Sequence, residues 1–436
     1  MKVAVFGLWH LGSVISACVS SKEHEVIGID QDSEVIRKLS LGEAPIYEPG
    51  LNDLLLEGIA SKRLSFSVIE PEALKNLEVL WVAHDTPVDN NDNADVDYVF
   101  SQIKSVIPLL SKNTLILVSS QLPVGSVKYL EAHAEQYFSE LQLKFACAPE
   151  NLRLGQAISI FNNPDRIVVG FREPNDKEIL ARLISPITSR IEWMSVESAE
   201  MTKHAINAFL ATSITFTNEI AAICEVVGAN AKEVERGLKS EIRIGNKAYV
   251  SPGGPFAGGT LARDIGFLHQ IGEDAGLSTP VLASVRPSND EHKKWVRRKL
   301  VQHFGNIKGK KIGIWGLTYK PGTDTLRRSL SIELCDWILS VGGEINVYDP
   351  VVEDLPNHWS GKSTQCSSAL EVLQLSDALV VATEWPEFRE IEIDSEVFEG
   401  KDYGVFDANC FLKDLLSNVS SHYYSVGTSA FSGVTE

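Results

Sequence analysis

Residues 2–12 read KVAVFGLWHLG and residues 25–30 read EVIGID. Lys2–Phe6 is an apolar strand, Gly7 and Gly12 bracket a turn, Ser13–Ser21 has the composition of a helix, and Glu25–Ile29 is a second apolar strand ending at Asp30. Strand, glycine turn, helix and strand within about thirty residues make a βαβ unit. The turn Gly7-Leu8-Trp9-His10-Leu11-Gly12 is a dinucleotide-binding G-x-G-x-x-G with Trp9 in place of the middle glycine. Glycines there permit the tight bend, the approach of backbone to a pyrophosphate and close packing of helix on strand, while the helix N-terminus supplies oriented N–H groups. Gly7 and Gly12 keep the first and third tasks. Trp9 adds a large ring where the pyrophosphate sits, so its side chain must point outward or the dinucleotide must sit differently. Asp30 lies 18 residues after Gly12. A carboxylate at that place accepts from ribose hydroxyls and repels a 2′-phosphate, which favours NAD over NADP.

The same pattern spreads outward along the chain. Apolar runs Val79–Ala83, Thr114–Ser119 and Phe145–Ala148 alternate with helical stretches, as in a doubly wound parallel sheet. Val196–Val227 stays helical in character, with Glu197 and Glu200 near its start and Gly228 as a stop signal. So long a helix needs another surface to cover its apolar faces, and it is expected to connect two domains and to contribute to a homodimer. Shorter helices follow to about residue 305. Ile312–Trp315, Gly316, a helix near Ser331–Ser340 and strand Glu344–Tyr348 ending at Asp349 then repeat the opening unit, and Ala378–Ala382 and Gly404–Phe406 extend it. The expected fold class is α/β, with two Rossmann-like doubly wound parallel-sheet domains joined by a long central helix and a small all-helical dimerisation domain. The boundaries are 1–192, 193–305 and 306–436.

Composition narrows the function. The 436 residues exceed what one core usually serves. The net charge is −18, from 40 basic and 58 acidic residues, which disfavours nucleic acid as a partner. An acidic protein binds a small anion through a few placed Arg and Lys side chains and helix N-termini. Six cysteines lie far apart with no CxxC pair, which suits reduced thiols and a cytoplasmic setting. Glycines interrupt the apolar N-terminus, unlike a signal peptide, and no run of about 20 apolar residues suggests a membrane span. Asp89–Asp97 lacks the Gly and Glu of a calcium loop, Ala94 and Phe100 standing at those places, and reads as an acidic loop capping the next helix. No HxxxH or HxxEH pair occurs among the ten histidines, so local spacing gives no metal site.

Further segments carry a family resemblance. They are Pro45-Ile46-Tyr47-Glu48-Pro49-Gly50-Leu51, Thr86-Pro87, Pro123-Val124-Gly125, Pro149-Glu150, Asn163-Pro164-Asp165-Arg166-Ile167, Glu200-Met201-x-Lys203, Asn207-Ala208-Phe209, Asn218-Glu219, Arg243-Ile244-Gly245, Gly316-Leu317-x-Tyr319-Lys320-Pro321-x-Thr323-Asp324, Tyr348-Asp349-Pro350 and Thr383-Glu384-Trp385. In order and spacing they resemble the UDP-glucose/GDP-mannose dehydrogenase family, whose members oxidise a sugar C6 alcohol through an aldehyde to the acid, using two NAD and a cysteine thioester. The resemblance implies NAD as cofactor, a nucleotide sugar as substrate with UDP favoured, and a soluble enzyme without a membrane partner. Carried over by position, Glu150 is the acid/base carboxylate, Lys203 and Asn207 stabilise the oxyanion, and Asp264 orients water or Lys203. The i, i+4 spacing of Lys203 and Asn207 places both on one helix face, where an ammonium and an amide converge on one oxygen. Cofactor contacts fall on Gly7, Trp9, His10, Leu11, Gly12, Asp30, Thr86, Gln121 and Arg328. Substrate contacts fall on Glu150, Leu152, Arg243, Tyr249, Gly253, Phe256, Lys320 and Arg327, with the Gly-rich stretch Ser251–Gly259 wrapping the sugar. His204 points to another face from Lys203 and has no assigned role.

The chain also departs from the family pattern. Alignment on Tyr249 and Asp264 places Thr260 where the family carries its cysteine, Gln121 replaces a threonine, and Arg263 replaces a lysine. A threonine hydroxyl needs a strong adjacent base before it attacks an aldehyde. Two outcomes follow: oxidation by two electrons only, or acid formation through an aldehyde hydrate without a covalent intermediate. The rival from another class is a catalytically impaired NAD- or nucleotide-sugar-binding protein.

Overall fold

A computed structural model of the chain describes residues 1–89, 94–150, 152–257, 259–398, 400–417, 420 and 422–428. They form two compact units, Met1–Ile206 and Asn207–Glu436.

The first unit is built on eight strands, β1 Lys2–Phe6, β2 Glu25–Asp30, β3 Leu64–Val68, β4 Val79–Val82, β5 Leu115–Val118, β6 Lys144–Cys147, β7 Ile167–Phe171 and β8 Ile191–Ser195. Their order is β3-β2-β1-β4-β5-β6-β7-β8. Neighbours run parallel except β6 and β7, which meet antiparallel through the single register pair Cys147 and Gly170. Central strands are apolar at every position because both faces are covered. Val3, Val5, Val79, Trp81, Leu115 and Leu117 enter the core on one face. Ala4, Phe6, Leu80, Val82, Ile116 and Val118 enter the core on the other, as the two-residue period of a strand requires. The chain turns from β1 outward to β2 and β3, then restarts on the other side with β4. The crevice beyond the C-terminal ends of β1 and β4 is therefore where a ligand sits in such a sheet.

The second unit holds an all-parallel sheet of β9 Lys311–Trp315, β10 Glu344–Tyr348, β11 Ser363–Gln365, β12 Ala378–Val381, β13 Gly404–Phe406 and β14 His422–Tyr424, in the order β11-β10-β9-β12-β13-β14. Its switch point lies between β9 and β12. Before the sheet come helices Ala231–Ser240, Thr260–Asp274, Pro280–His292 and Trp295–Phe304. A small core of Ala208, Ala211, Phe256, Ala262, Ile265 and Val285 holds this helical part together.

The helix Val196–Val227 has 32 residues and stops at Gly228, whose φ of +78° ends it in the left-handed region. It is, among the described residues, the one helix long and apolar enough by composition to cross a membrane. Its small residues are nevertheless built into protein cores: Val196 and Ala199 in the first unit, Ala208, Ala211, Ala221 and Cys224 in the second. Phe209, Phe216 and Ile223, spaced by seven, remain exposed.

Candidate active site

In the first unit the glycine turn behaves as its spacing requires. Gly7 has φ +94°, and a Cβ there would lie 2.7 Å from the His84 ring, while one on Gly12 would lie 1.8 Å from the Gly7 carbonyl oxygen. Trp9 caps the helix His10–Ser20 and is 51% exposed, so its ring points outward rather than into the turn. Leu11 is buried in the core. Asp30 Oδ2 accepts from the Leu8 N–H at 2.8 Å and Oδ1 from the Asp32 N–H at 3.0 Å. Each oxygen is left with a further lone pair for ribose hydroxyls. The backbone N–H groups that open the helix lack acceptors within it and suit a pyrophosphate. Residues and geometry thus fit NAD.

Several residues outside the turn fix this crevice. Glu48 is buried and its carboxylate accepts from Gly155 N–H at 2.7 Å, Ala157 N–H at 2.9 Å and His10 Nε2 at 2.9 Å. It ties the loop Pro45–Leu51 to the start of the helix that follows the turn. Thr86 Oγ1 donates to the Gln121 carbonyl at 2.7 Å, joining the loops after β4 and β5. His84 packs edge-on against Phe6 at 4.3 Å, and burial holds its imidazole down to about 4.

Lys203 Nζ donates to the backbone carbonyl of Glu150 at 2.7 Å, while the Glu150 carboxylate accepts from the Leu152 N–H at 2.5 Å. Both residues line a small cavity with Gln121, Cys147, Glu200 and His204. Glu200 accepts from Gly125 N–H at 2.7 Å and Val127 N–H at 2.9 Å, and so holds the N-terminus of helix Ser126–Phe138 beside Lys203. Burial pushes its carboxyl up, against the opposing effect of those two N–H groups. His204 is buried and bonded through Nε2 to the Leu122 carbonyl at 2.9 Å, a structural contact on a different face from Lys203. Asp95 caps the helix Val96–Val106 by accepting from Tyr98 N–H at 3.0 Å, as expected of the acidic stretch 89–97, of which residues 90–93 lie outside the described residues.

In the second unit Asn207 Nδ2 donates to the carboxylate of the fully buried Asp264. Thr260 is exposed and opens the helix Thr260–Asp274 after Gly259, which has φ +100°. Of the thiols, Cys224 lies on the same helix as Asn207, 17 residues on, a separation of about 26 Å along a straight helix. Burial pushes Cys18 up to about 12 and Cys366 up to about 11, and raises Cys147 and Cys335 as well, which keeps these four protonated and inert.

The stretch 251–257 is pinned along its length. Gly253 N–H donates to Asn218 Oδ1 at 3.0 Å and Gly254 N–H to Asn409 Oδ1 at 2.7 Å. His292 Nε2 meets the Gly253 carbonyl at 2.8 Å, and Asn289 clasps both the N–H and the carbonyl of Phe256, at 3.0 and 2.8 Å. A Cβ on Gly253 would lie 2.1 Å from the Asn409 side-chain oxygen, so any larger residue there would displace the Asn409 amide. The Phe256 ring itself is in the helical core. Asn409 in turn donates to Glu384 at 2.5 Å, and burial raises the Glu384 carboxyl. Sequence reasoning missed Asn218, Asn289 and Asn409 as the anchors, because their partners lie 33 to 155 residues away.

A cleft of about 390 Å³ opens at the C-terminal ends of β9, β12 and β13, lined by Gly254, Tyr319, Lys320 and Glu384 together with Lys293 and Arg297, which sequence reasoning did not single out. Arg297 donates to the Glu333 carbonyl at 3.3 Å and lies 5.5 Å over the Trp337 ring, and its Nε is buried without an acceptor among the described residues. Arg327 and Tyr249 are exposed. Arg243 is exposed and paired with Glu241 at 2.9 Å. Arg328 adopts φ +62°, and its Nη1 lies 3.4 Å from where a Cβ on Gly259 would be.

A doubly wound sheet with a fitted dinucleotide turn, and a second unit of the same type with a cationic cleft at its switch point, define an NAD-dependent oxidoreductase of phosphorylated small molecules. Residues 1–188 match the NAD binding domain of the UDP-glucose/GDP-mannose dehydrogenase family, residues 197–291 its central domain and residues 313–414 its UDP binding domain. The chain belongs to that family, and it is an NAD-dependent dehydrogenase acting on a CH–OH group of a nucleotide sugar. It is 32% identical to the UDP-glucose 6-dehydrogenase of Rhizobium meliloti, covering 98% of this chain and 99% of that one. It is 30% identical to a UDP-glucose 6-dehydrogenase of Bacillus subtilis, covering 99% and 94%. The structure of a UDP-glucose dehydrogenase from Pyrobaculum islandicum superposes with a TM-score of 0.86 at 27% identity, covering 98% of each chain.

Proposed function

We propose that this dehydrogenase oxidises the C6 alcohol of a UDP-hexose, UDP-glucose being the first to test because the relatives above act on it by name. The observation that carries this reading is the pair of held polar groups one helical turn apart, Lys203 fixed on the Glu150 carbonyl and Asn207 fixed on buried Asp264. Bound NAD supplies the hydride acceptor. The alcohol proton passes to Glu150 as C6–H leaves as hydride, and Lys203 and Asn207 stabilise the oxygen as it gains negative charge. Asp264 orients Asn207 and keeps its amide donors aimed. Lys320 and Arg327 take the diphosphate, and Arg297 adds a guanidinium positioned over the Trp337 ring.

Thr260 replaces the nucleophile of the acyl half-reaction, and the protonated buried thiols do not substitute for it. The enzyme therefore releases the aldehyde, or oxidises its hydrate without a covalent intermediate. The protein acts as a cytoplasmic homodimer, in keeping with six unpaired cysteines and with the exposed Phe209, Phe216 and Ile223 on the long helix.

The test is a panel of UDP- and GDP-sugars with NAD, following nicotinamide absorbance and identifying products by mass. One or two NADH per UDP-glucose without a protein adduct is expected. Two NADH with a sugar adduct trapped on the protein overturns the non-covalent route, and ligand binding without turnover across the panel overturns the enzymatic reading.

A further inference from the structure

The opposite edge of the second sheet, at the N-terminal ends of its strands, gathers three side chains that the reaction does not use. His422 opens β14, Asp402 lies two residues before β13, and His303 ends the helix Trp295–Phe304. Gly404 and His422 are register partners, so the two strand starts are adjacent. The two imidazoles and the carboxylate each offer a ligand atom, and these atoms lie within 4.8 Å of one another. Among the described residues it is the one group of three or more His, Cys, Asp or Glu side chains so placed. Local spacing along the chain shows no metal site; this group is assembled from residues more than a hundred positions apart at its extremes.

The arrangement has the parts of a transition-metal site. His422 Nε2 lies 3.0 Å from Asp402 Oδ1, the separation of neighbouring ligand atoms around one small cation. His303 Nδ1 meets the Tyr424 hydroxyl at 3.2 Å, an outer hydrogen bond of the kind that orients a ligating imidazole. Its other nitrogen, Nε2, is buried and makes no well-aligned hydrogen bond among the described residues. Rings pack around His303 and fix its plane, Phe304 at 4.4 Å and Tyr424 at 5.8 Å. Asp402 is 75% exposed, so water reaches the remaining coordination position.

We propose that His303, Asp402 and His422 bind one late first-row divalent cation, Zn²⁺ being the fitting probe, and that the ion clamps edge strand β14 to β13 and to the preceding helix. Two imidazoles and one carboxylate with an open position suit Zn²⁺, whereas Mg²⁺ and Ca²⁺ want oxygen ligands.

The test uses the full chain, stripped with a chelator and dialysed, then titrated calorimetrically with ZnCl₂ and with MgCl₂ as control. Co²⁺ is added in parallel to read ligand type from the visible spectrum. One Zn²⁺ per chain, a raised thermal midpoint, and a Co²⁺ spectrum without a thiolate charge-transfer band are expected. Asp402→Asn and His422→Gln should each weaken binding by about tenfold or more, as changes around a metal do. Asp402→Asn lies at an exposed position and should keep dehydrogenase turnover unchanged, so it remains informative where a histidine variant folds poorly. Absence of saturable Zn²⁺ binding, or equal affinity in the wild type and a folded Asp402→Asn protein, overturns the site.

Discussion

Two residues carry consequences that their immediate surroundings decide. Arg297 lines the cleft of the second unit, its guanidinium over Trp337, and is proposed above as a contact for the diphosphate. Arg297→Met keeps the stem over Trp337 and removes the fork. Its KM for the nucleotide sugar should rise about tenfold, the size of one charged hydrogen bond, with kcat little changed. Steady-state kinetics check this, and an unchanged KM would remove Arg297 from the substrate contacts. His84 works through stability. Below pH 6.5 the unfolded chain takes a proton on this imidazole that the folded chain refuses until about pH 4. Stability supplied above pH 6.5 is therefore lost as pH falls through that window, by about 3 kcal/mol at most. His24 and His292, also lowered by burial, act in the same direction. His84→Gln should shrink the difference between denaturant midpoints at pH 7.5 and pH 5 relative to the wild type.

Among the elements, those that are apolar throughout and buried on both faces were legible in the sequence. β1, β10 and β13 fall where the apolar runs place them, and the helix Val196–Val227 begins and ends at the expected residues. β3, reading Leu-Ser-Phe-Ser-Val, was missed because serine at two of its five positions breaks the apolar run. β11, reading Ser-Thr-Gln, and β14, reading His-Tyr-Tyr, were missed because they lack the aliphatic character that marks the equally short Gly-Val-Phe of β13. β7 and β8, beyond the antiparallel junction at β6, were also missed, although helices Ala157–Asn162 and Pro174–Ile184 continue the alternation. In the candidate site, Lys203, Asn207 and Glu150 were named through the family resemblance, with helix spacing and a strand end in agreement. The roles of Glu48, Glu200 and the three loop-anchoring asparagines were not, since a buried carboxylate bridging distant backbone N–H groups leaves no local pattern. The long helix makes its own prediction. Phe209, Phe216 and Ile223 share one face at seven-residue spacing and are 69%, 49% and 56% exposed, an apolar seam suited to a second copy. Phe216→Glu should convert the proposed dimer to monomer in sedimentation velocity while each chain stays folded; an unchanged sedimentation coefficient would overturn this seam as the interface.

The whole molecule uses one sheet plan twice, and hydrogen-bond accounting distinguishes the copies. Asp30 and Asp349 occupy equivalent places, each at the end of the second strand of its unit and facing the first turn. Asp30 accepts one backbone N–H on each oxygen. Asp349 is 8% exposed, and its Oδ2 already accepts from Leu317 N–H at 2.7 Å, Thr318 N–H at 3.1 Å and Trp385 Nε1 at 3.1 Å, with Val351 N–H on Oδ1 at 3.1 Å. A carboxylate offers about four lone-pair sites, so Asp349 is spent on its own fold whereas Asp30 keeps capacity for a ribose. The first unit also has a helix opening directly behind its turn, at His10; the second interposes residues 317–329 before the helix Leu330–Ser340. Asp30→Ala should therefore weaken NAD binding about tenfold and relax the rejection of NADP, with little change in thermal stability. Asp349→Ala should do the reverse: it strands buried donors, each costing about 1–3 kcal/mol, and lowers the melting midpoint while NAD affinity holds. Titration of both variants with NAD and NADP, beside their thermal melts, separates the cases. A folded Asp349→Ala protein that loses NAD as severely as Asp30→Ala would show that lone-pair capacity does not decide which copy takes the dinucleotide.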